Sequence, residues 1–308
     1  PIKQVHISEQ GRFGITHLNA TDMGRSELGY VVIAKALGQA LHAQLTRFNN
    51  IELICPAELK QFNTMDSGVS LEVDIGGKNK TISSKLLVGC DGSHSLVRRL
   101  AGINTKQKDF KQTAIVANVT TQRPNNGTAY ERFRPEGPIA LLPIDTSKSV
   151  LVFMVNKDDE QRYLSKSDAE FIADIETEFG RRLGRIKYIG SRRSYPIVFI
   201  EAVEHFHKQI VLLGNAAHTI HPNAAQGFNL GLRDVAGLAE CLLDGLEKNI
   251  ELNDISLLQN YLKLRQNDQQ CIMQFTNTVA ACFYNRLPLL SSSRSLSLLL
   301  LNLVPTFR

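Results

Sequence analysis

The sequence predicts an α/β protein in which a block of antiparallel sheet interrupts a parallel-sheet framework. Two short apolar runs, at residues 86–92 and 210–217, each end in Gly and a small polar residue and lead into a helical pattern. Such runs are typical of strands buried on both faces of a parallel sheet. Strand-like runs fill residues 112–156, and after Ile210 the chain has helical periodicity almost to its end. These features favour two α/β portions that flank a β-rich insertion.

The composition is that of a folded globular protein. Of 308 residues, 43% are hydrophobic and 21% are charged, which excludes a disordered, collagen-like or coiled-coil chain. The net charge of +5 is too small for this length to indicate nucleic-acid binding. A basic run over residues 181–193 is more typical of a solvated edge than of an anion site. The five cysteines form no C-x-x-C motif, so we expect a reducing, cytoplasmic compartment.

The first part of the chain combines strands with one helix. Residues 4–18 alternate apolar and polar side chains around Gly11, which predicts a hairpin. Apolar residues recur at helical spacing over residues 28–45, which predicts a helix there. Residues 51–88 have strand character, and the Gly-Gly pair at 76–77 predicts a hairpin turn within them.

The second part begins with the β-rich block and ends in helices. The runs within residues 112–156 are typical of antiparallel sheet rather than of βαβ units. Ser167 and Glu170 fit the S-x-x-E capping box, which predicts that a helix begins there. Strand character returns at residues 185–203. Apolar periodicity then predicts long helices over 228–247 and 255–284.

The two apolar runs end at candidate nucleotide-binding corners. Ligands of open α/β sheets bind beyond the carboxyl ends of strands, where glycines admit the backbone closely and helix N-termini offer free N–H groups. Taken alone, each corner is more typical of a tight turn, because Gly, Asp and Asn form turns. The corner residues are strand-end, capping and loop residues: Asp91, Gly92, Ser93, Ser95, Arg98, Gly214, Asn215, Pro222, Gly227, Phe228 and Asn229.

Longer motifs around these corners carry a family resemblance. The segments VGCDGSHSLVRRLAG and LLGNAAHTIHPNAAQGFNLGLRD resemble the second and third FAD-binding motifs of class A flavoprotein aromatic hydroxylases. The second segment, with ERF and GPIALLP (131–143), SRRSYPI (191–197) and the opening PIKQVHISEQGRFG, is similar to the ubiquinone-biosynthesis branch. Within that branch it looks like the 2-octaprenyl-6-methoxyphenol hydroxylases. The resemblance covers nearly the whole chain.

The resemblance implies an FAD/NAD(P)-binding domain of the p-hydroxybenzoate-hydroxylase type, truncated at its N-terminus. Residues 19–111 would form the first part of the FAD-binding domain. Residues 1–18 and 112–203 would form an inserted antiparallel β-sheet domain for the substrate. Residues 204–308 would complete the FAD-binding domain and add C-terminal helices.

The resemblance also implies roles for the corner residues. Asn215 stands where the family usually has an Asp that hydrogen-bonds the ribityl chain of FAD, and an amide keeps one acceptor. Backbone N–H groups of Gly227, Phe228 and Asn229 would meet the pyrimidine edge of the isoalloxazine, and Pro222 would line the ring. The remaining cofactor-binding residues lie at the two strand ends and would serve the pyrophosphate region and the nicotinamide: Asp91, Gly92, Arg98 and Gly214.

The sequence departs from the family pattern at three places. Ala225 stands where relatives mostly have Gly, and residues 33–36 lack the Glu or Asn expected in the helix beside the flavin. No G-x-G-x-x-G occurs, although this fingerprint of the ADP-binding strand and helix opens the family's fold. We therefore expect that the chain begins after that segment, and that by itself it binds FAD weakly and is inactive.

The implied activity is that of an FAD-dependent monooxygenase. Using NAD(P)H and dioxygen through a flavin hydroperoxide, it would hydroxylate a polyprenylated phenol in ubiquinone biosynthesis. The sequence names no catalytic acid or base. Expected partners are the polyprenylphenol, a ubiquinone-biosynthesis complex and the periphery of the inner membrane. Two alternatives stay open: a same-fold prenyl reductase or halogenase, and a catalytically inactive truncated flavoprotein that acts as a scaffold.

Other candidate residues weigh less. His218 and His221 are spaced for two metal ligands, but no third ligand has suitable spacing, so no metal site is predicted. His205 and His207 lie on a predicted loop, where we expect them to be solvated. The apolar tail at 287–304 is more typical of a helix that covers a core than of a membrane contact.

Overall fold

The computed structural model describes residues 1–12 and 14–284. The strands in chain order are β1 (Gln4–Glu9), β2 (Ile15–Asn19), β3 (Glu58–Met65), β4 (Gly68–Ile75), β5 (Lys78–Ser84), β6 (Leu87–Gly89), β7 (Thr105–Thr121), β8 (Thr128–Phe133), β9 (Ile139–Pro143), β10 (Lys148–Asn156), β11 (Ile186–Ile189), β12 (Arg193–Ala202), β13 (Phe206–His207), β14 (Ile210–Leu212) and β15 (His218–Thr219). The α-helices are α1 (Ala34–Leu45), α2 (Leu96–Leu100), α3 (Glu160–Leu164), α4 (Asp168–Phe179), α5 (Gly227–Glu247) and α6 (Ile255–Tyr284). This mixture confirms the predicted α/β class.

The chain divides into two compact units. Among the described residues, unit 1 contains 1–49, 111–197 and 280–284, and unit 2 contains 50–110 and 198–279. Three of the four boundaries fall within β7, β12 and α6, and the fourth, at 49/50, lies between α1 and β3. Residues 19–49 group with unit 1 in this division. Their assignment to the FAD-binding domain stays a prediction.

Unit 1 is built on a sheet with strand order β7–β10–β9–β8–β1–β2, in which β11 also pairs with β7. Neighbouring strands are antiparallel except for β1 and β8, which run parallel. Helix α4 lies against one face of this sheet, because its buried Phe171 and Ile175 belong to the same apolar core as Leu141, Leu151 and Phe153. A capping box between Ser167 and Glu170 begins α4, as predicted.

Unit 2 contains the parallel pair β14 and β6, to which β13 adds an antiparallel strand. All three residues of β14 are fully buried, which satisfies the prediction of a strand covered on both faces. Val88 of β6 is 38% exposed, so the same prediction is wrong for β6. The β3–β4–β5 sheet packs on this core through Val69, and α5 and α6 pack through Leu238 and Tyr261.

Several predicted elements are confirmed with adjusted bounds. The first hairpin pairs β1 with β2, and the pair at 76–77 turns β4 into β5 with positive φ at both glycines. The helix predicted over 28–45 begins only at Ala34. Leu28 and Gly29 exchange backbone hydrogen bonds of 2.7 Å with Ile2, which holds that segment extended.

Two further differences concern strands and short helices. Residues 51–57 form no strand, although the sequence predicted strand character from 51 onward. The one-turn helix α3 was not predicted, because five residues carry too little periodicity to detect.

Among residues 1–12 and 14–284, no helix combines the length and the apolar character needed to cross a bilayer. The tail at 287–304 lies outside the described residues.

Candidate functional site

A cavity of about 640 Å³ opens in unit 2, where the carboxyl ends of β6 and β14 meet the start of α5. This is the edge at which the sequence predicted two ligand-binding corners, so the structure brings both corners together. Its lining is formed by Cys90, Gly92, Leu213, Gly214, Asn215, Thr219, Ile220, Pro222, Ala225, Gly227, Phe228, Gly231, Leu232 and Val235. The predicted residues Asp91, Arg98 and Asn229 are not among them.

The first corner is organised by the cap of helix α2. Asp91 Oδ2 accepts hydrogen bonds from the backbone N–H groups of Leu96 (2.6 Å) and Val97 (3.0 Å), and Ser95 Oγ accepts one from Arg98 N–H (2.9 Å). Burial raises the pKa of Asp91, but hydrogen bonds from Ser95 and from backbone N–H groups hold that pKa below its usual value. Asp91 is therefore an ionised cap that fixes the strand-to-helix turn.

Arg98 joins the two corners. Its guanidinium donates to the carbonyl oxygens of Ala216 and Ser93, both at 2.7 Å, and the residue is only 5% exposed. In the described structure its hydrogen bonds therefore tie α2 to the turn after β14. The Thr219 hydroxyl adds a second tie, because it lies 3.0 Å from Ser93 Oγ and 3.3 Å from the Asn215 carbonyl oxygen.

The second corner depends on two glycines. Gly214 has φ +55°, in the left-handed region that favours glycine. A Cβ on Gly231 of helix α5 would lie 3.3 Å from the Gly214 Cα, so a side chain there would crowd the turn. The missing side chains let α5 approach the end of β14, and Asn215 next to Gly214 is exposed at the cavity wall.

Helix α5 points its N-terminus at the cavity. The N-cap residue Gln226 makes no side-chain capping bond, so the N–H groups of Gly227, Phe228 and Asn229 are available to an acceptor. The helix dipole adds positive potential there, which favours an acceptor that carries negative charge. Phe228 is 61% exposed and offers an aromatic surface beside these donors.

The loop before α5 is shaped by a buried histidine and a strained alanine. The His221 ring meets Phe110 edge-on, with ring centroids 4.8 Å apart. Burial lowers the pKa of His221 to about 4, so the ring is neutral at neutral pH. Ala225 has φ +49°, a conformation in which Gly is favoured. This gives a physical reason for the Gly that the family resemblance led us to expect at this position.

A buried polar network lies behind the loop, and the sequence did not predict it. Asp234 is fully buried and accepts hydrogen bonds from His218 Nε2 (2.5 Å), Arg265 Nε (2.9 Å) and Gln269 Nε2 (2.9 Å). Burial raises the pKa of Asp234, but these three donors hold it below its usual value. Gly237 makes room for the Arg265 side chain, since a Cβ on Gly237 would lie only 2.8 Å from Arg265 Cδ. The network joins β15, α5 and α6.

His205 contradicts its sequence prediction. It was expected to be solvated, yet it is 8% exposed, whereas His207 is exposed as predicted. The His205 ring lies 6.0 Å from the His218 ring, and burial lowers its pKa to about 4. The backbone N–H of Leu212 bonds the His205 carbonyl, which draws this segment onto β14. Within residues 1–12 and 14–284, no cluster of three or more His, Cys, Asp or Glu is arranged to hold a metal ion.

The chain matches a known protein family over most of its length. Residues 16–276 match the family described as FAD binding domain. The chain belongs to this family. The match contains both corners, the cavity lining and the buried Asp234 network.

Curated relatives of the family align over most of the chain. A ubiquinone hydroxylase UbiL from Rhodospirillum rubrum is 33% identical over 298 residues, which is 97% of this chain and 68% of that protein. The 3-demethoxyubiquinol 3-hydroxylase of Escherichia coli is 29% identical over 281 residues, or 91% of this chain and 71% of the relative.

Solved structures share the fold at lower identity. A p-nitrophenol 4-monooxygenase PnpA from Pseudomonas putida superposes with a TM-score of 0.82 at 14% identity, covering 99% of this chain and 78% of that one. PqsL from Pseudomonas aeruginosa superposes with a TM-score of 0.78 at 16% identity, covering 92% and 79%. The predicted p-hydroxybenzoate-hydroxylase-like fold is thereby confirmed. The chain is an FAD-dependent monooxygenase, and NAD(P)H is the usual reductant of this class.

The cavity suits part of an FAD molecule. Apolar side chains such as Ile220, Phe228 and Leu232 line it for a flat ring. The free N–H groups at the start of α5 are donors of the kind that ring carbonyl oxygens would accept from. A Cβ on Gly92 would meet nothing within 4 Å, and a Cβ on Gly227 would meet only Ile220 at 3.7 Å, so both glycines leave open space for a ligand.

Proposed function

We propose that this protein hydroxylates the ring of a polyprenylated phenol in ubiquinone biosynthesis. The observation that carries the proposal is the cavity where the carboxyl ends of β6 and β14 meet the start of α5. It occurs in a chain that is 33% identical to a ubiquinone hydroxylase. The chemistry that FAD supplies when bound is uptake of electrons from NAD(P)H and activation of dioxygen.

In this proposal, the N-terminus of α5 stabilises the reduced cofactor. Gly227, Phe228 and Asn229 donate backbone N–H groups to the pyrimidine edge of the flavin ring, where negative charge gathers on reduction. Pro222 lines the ring, and the Asn215 amide hydrogen-bonds the ribityl chain. These contacts orient the ring without placing a side-chain charge against it.

The first corner would serve the other end of the cofactor. Gly92 and Gly214 admit the backbone closely to the ligand, and Asp91 and Arg98 hold the turn that faces the pyrophosphate region and the nicotinamide. The hydrogen bonds of Asp91 and Arg98 support this indirect role, because both side chains bond protein backbone. On the family resemblance, we propose residues 19–111 and 204–308 as the FAD-binding domain and residues 1–18 and 112–203 as the substrate domain, with residues 19–49 assigned to the former although they group with unit 1.

The proposed partners follow from the substrate. A polyprenyl tail gains about 0.8 kcal/mol for each buried methylene, so such a phenol dissolves in membranes rather than in water. We propose that the protein works in the cytoplasm at the inner-membrane periphery, within a ubiquinone-biosynthesis complex.

The test is an assay of the full-length enzyme, loaded with FAD, with NAD(P)H and isotopically heavy dioxygen. We expect one labelled oxygen atom in the ring of a prenylated methoxyphenol and a kcat/KM at least about 100-fold higher than for the same ring without its tail. Equal kcat/KM for both phenols would reject the lipid substrate. A saturated tail or a halogenated ring would identify the prenyl reductase or the halogenase instead, and cofactor binding without turnover would support the scaffold.

A further inference from the structure

The sheet of unit 1 has a second face that α4 does not cover. The apolar residues of this face alternate along the strands with those of the α4 core. Four of them are fully buried, Ala114, Ala129, Phe133 and Met154. The others are partly buried: Val5, Ile7, Val116, Ala140, Leu142, Val150 and Val152. Strand register places Ile7, Glu131 and Ala140 side by side across β1, β8 and β9. The row continues through Val152 and Val116. A glutamate therefore stands in the middle of an apolar row.

Glu131 has no partner of its own on this face. Among residues 1–12 and 14–284, its carboxyl group makes no hydrogen bond and no ion pair. Arg132 and His6 alternate to the opposite face, where His6 contacts Tyr130. The nearest titratable residue on the same face is Glu9, whose strand position pairs with Phe133, and β9 carries none.

The absence of a partner changes the ionisation of the Glu131 carboxyl group. Burial without a compensating charge raises the pKa of Glu131 to about 7. A carboxyl group without a partner on an apolar surface costs folding free energy, and a ligand hydroxyl is the type of group that would offset this cost. A carboxyl group with this pKa is also matched to proton transfer at neutral pH.

We propose that Glu131 is a catalytic residue that accepts the proton of the substrate phenol on the apolar face of the unit 1 sheet. The proposal rests on the proposed function, because it needs a phenol as substrate. In the step, the phenol O–H bond breaks and a new O–H bond forms on a Glu131 carboxyl oxygen. The electron pair stays on the phenol oxygen and makes the ring more electron-rich. The apolar row around Glu131 receives the ring and the first part of the tail.

The first test is the pH dependence of turnover by the FAD-loaded enzyme and its Glu131→Gln variant. We expect kcat of the variant to fall about 100-fold at pH 7 with KM changed only a few-fold. The wild-type rate should rise through about pH 7, whereas the rise for Glu131→Gln should move toward the ionisation of the free phenol, near 10 for a tyrosine-like hydroxyl. Glu131→Asp should restore part of the rate and the original pH profile.

The matched control is Glu72→Gln, a partly buried glutamate on strand β4 that accepts a hydrogen bond from Gln61. It should leave both the rate and the pH profile unchanged. An unchanged rate and pH profile for Glu131→Gln would overturn the proposal. A wild-type enzyme that forms no hydroxylated product would overturn the proposed function itself, which separates the two failures.

A stability measurement separates this role from a structural one. Because a partly buried carboxyl group without a partner opposes folding, Glu131→Met should raise the Tm at pH 8 while it abolishes turnover. The pKa of Glu131 is higher in the folded state than in the unfolded state. The free energy of unfolding of the wild type should therefore decrease as the pH rises from about 4.5 to about 7. Glu131→Met should lack that fall. A lowered Tm and lost FAD in both the Met and the Gln variants would show a structural residue and overturn the proposal.

Discussion

At the scale of single residues, the corner that we propose for FAD depends on small residues. A larger side chain at these positions would crowd the turn after β14. Gly214 needs its left-handed φ, and Gly231 needs its small size to approach Gly214. Ala225 holds a left-handed φ at a cost of about 1–2 kcal/mol, which the surrounding loop must offset. These positions explain why small residues cluster in the motif at 212–234.

The first residue-scale prediction concerns FAD affinity. Gly227→Val should abolish saturable FAD binding, because a branched side chain would occupy the space beside the free N–H groups of α5. Asn215→Ala should weaken binding by about 1–3 kcal/mol, the cost of one lost hydrogen bond with its partner left unpaired. Titration of the full-length apoprotein with FAD, followed by flavin fluorescence, measures both.

Gly227→Ala is the graded control for this prediction. A Cβ at Gly227 would meet only Ile220 at 3.7 Å, which is an ordinary contact, so the alanine variant should keep its fold and bind FAD with intermediate affinity. If Asn215→Ala weakened binding more than Gly227→Val, the assignment of the ring edge to the start of α5 would be wrong.

At the scale of elements, helices α5 and α6 are joined by a buried charge. Asp234 on α5 receives Arg265 and Gln269 from α6 and His218 from β15. An ionised carboxylate without these donors would be strongly destabilised inside the protein. The element that presents Gly227 to the cavity is therefore held in place some two turns further along, away from the ligand.

The element-scale prediction is that Asp234→Asn lowers the free energy of unfolding by about 3–5 kcal/mol, since it removes the fully buried counter-charge of Arg265 and leaves only the partly exposed Asp268. Asp268→Asn is the matched control. Its side chain is 30% exposed while it pairs with the same arginine, so we expect a loss of at most about 1 kcal/mol. Urea denaturation of both variants measures the difference, and equal losses would contradict a special role for Asp234.

The same variant has a pH dependence of known sign. The folded-state pKa of Asp234 is lowered, so its contribution to stability is present above the unfolded pKa and is lost as the pH falls through the folded value. The stability difference between wild type and Asp234→Asn should therefore shrink in acid.

Local signals fixed the elements whose boundaries are set by local chemistry. The capping box at Ser167 and the glycine pair at 76–77 were correct because caps and tight turns are determined by neighbouring residues. The start of α1 was wrong because a backbone bridge from Ile2 to Gly29, distant in sequence, overrides helical periodicity at residues 28–33. The prediction that His205 is solvated was wrong for the same reason. Its carbonyl oxygen accepts a hydrogen bond from Leu212 of β14, and the residue is buried beside that strand.

At the scale of the whole molecule, each unit contributes a different surface. Unit 2 carries the cavity assigned to FAD, and unit 1 carries the apolar sheet face with Glu131. Unit 1 also carries exposed basic residues on and beside β11, which the sequence left as either a solvated edge or an anion site: Arg182, Arg185, Lys187 and Arg193.

The whole-molecule prediction is partial association with membranes. A substrate that dissolves in the bilayer and a net charge of +5 favour an anionic lipid surface. The FAD-loaded enzyme should sediment more with vesicles that contain anionic phospholipid than with zwitterionic vesicles, and high salt should reduce the difference. The double variant Arg185→Gln, Lys187→Gln should bind less. Equal sedimentation with both kinds of vesicle would contradict an electrostatic contact.

The sequence alone determined the fold class, the family and the residues of the two corners, because strand-end glycines, helix caps and long motifs are contiguous along the chain. It did not determine which corner residues line the cavity. Arg98 and Asp91 bond protein backbone instead, and that choice depends on how α2 packs against the turn after β14. Only the tertiary structure identified Asp234 and Glu131. Their importance arises from burial and from the presence or absence of partners, and these are set by residues 16 or more positions away for Asp234 and on neighbouring strands for Glu131.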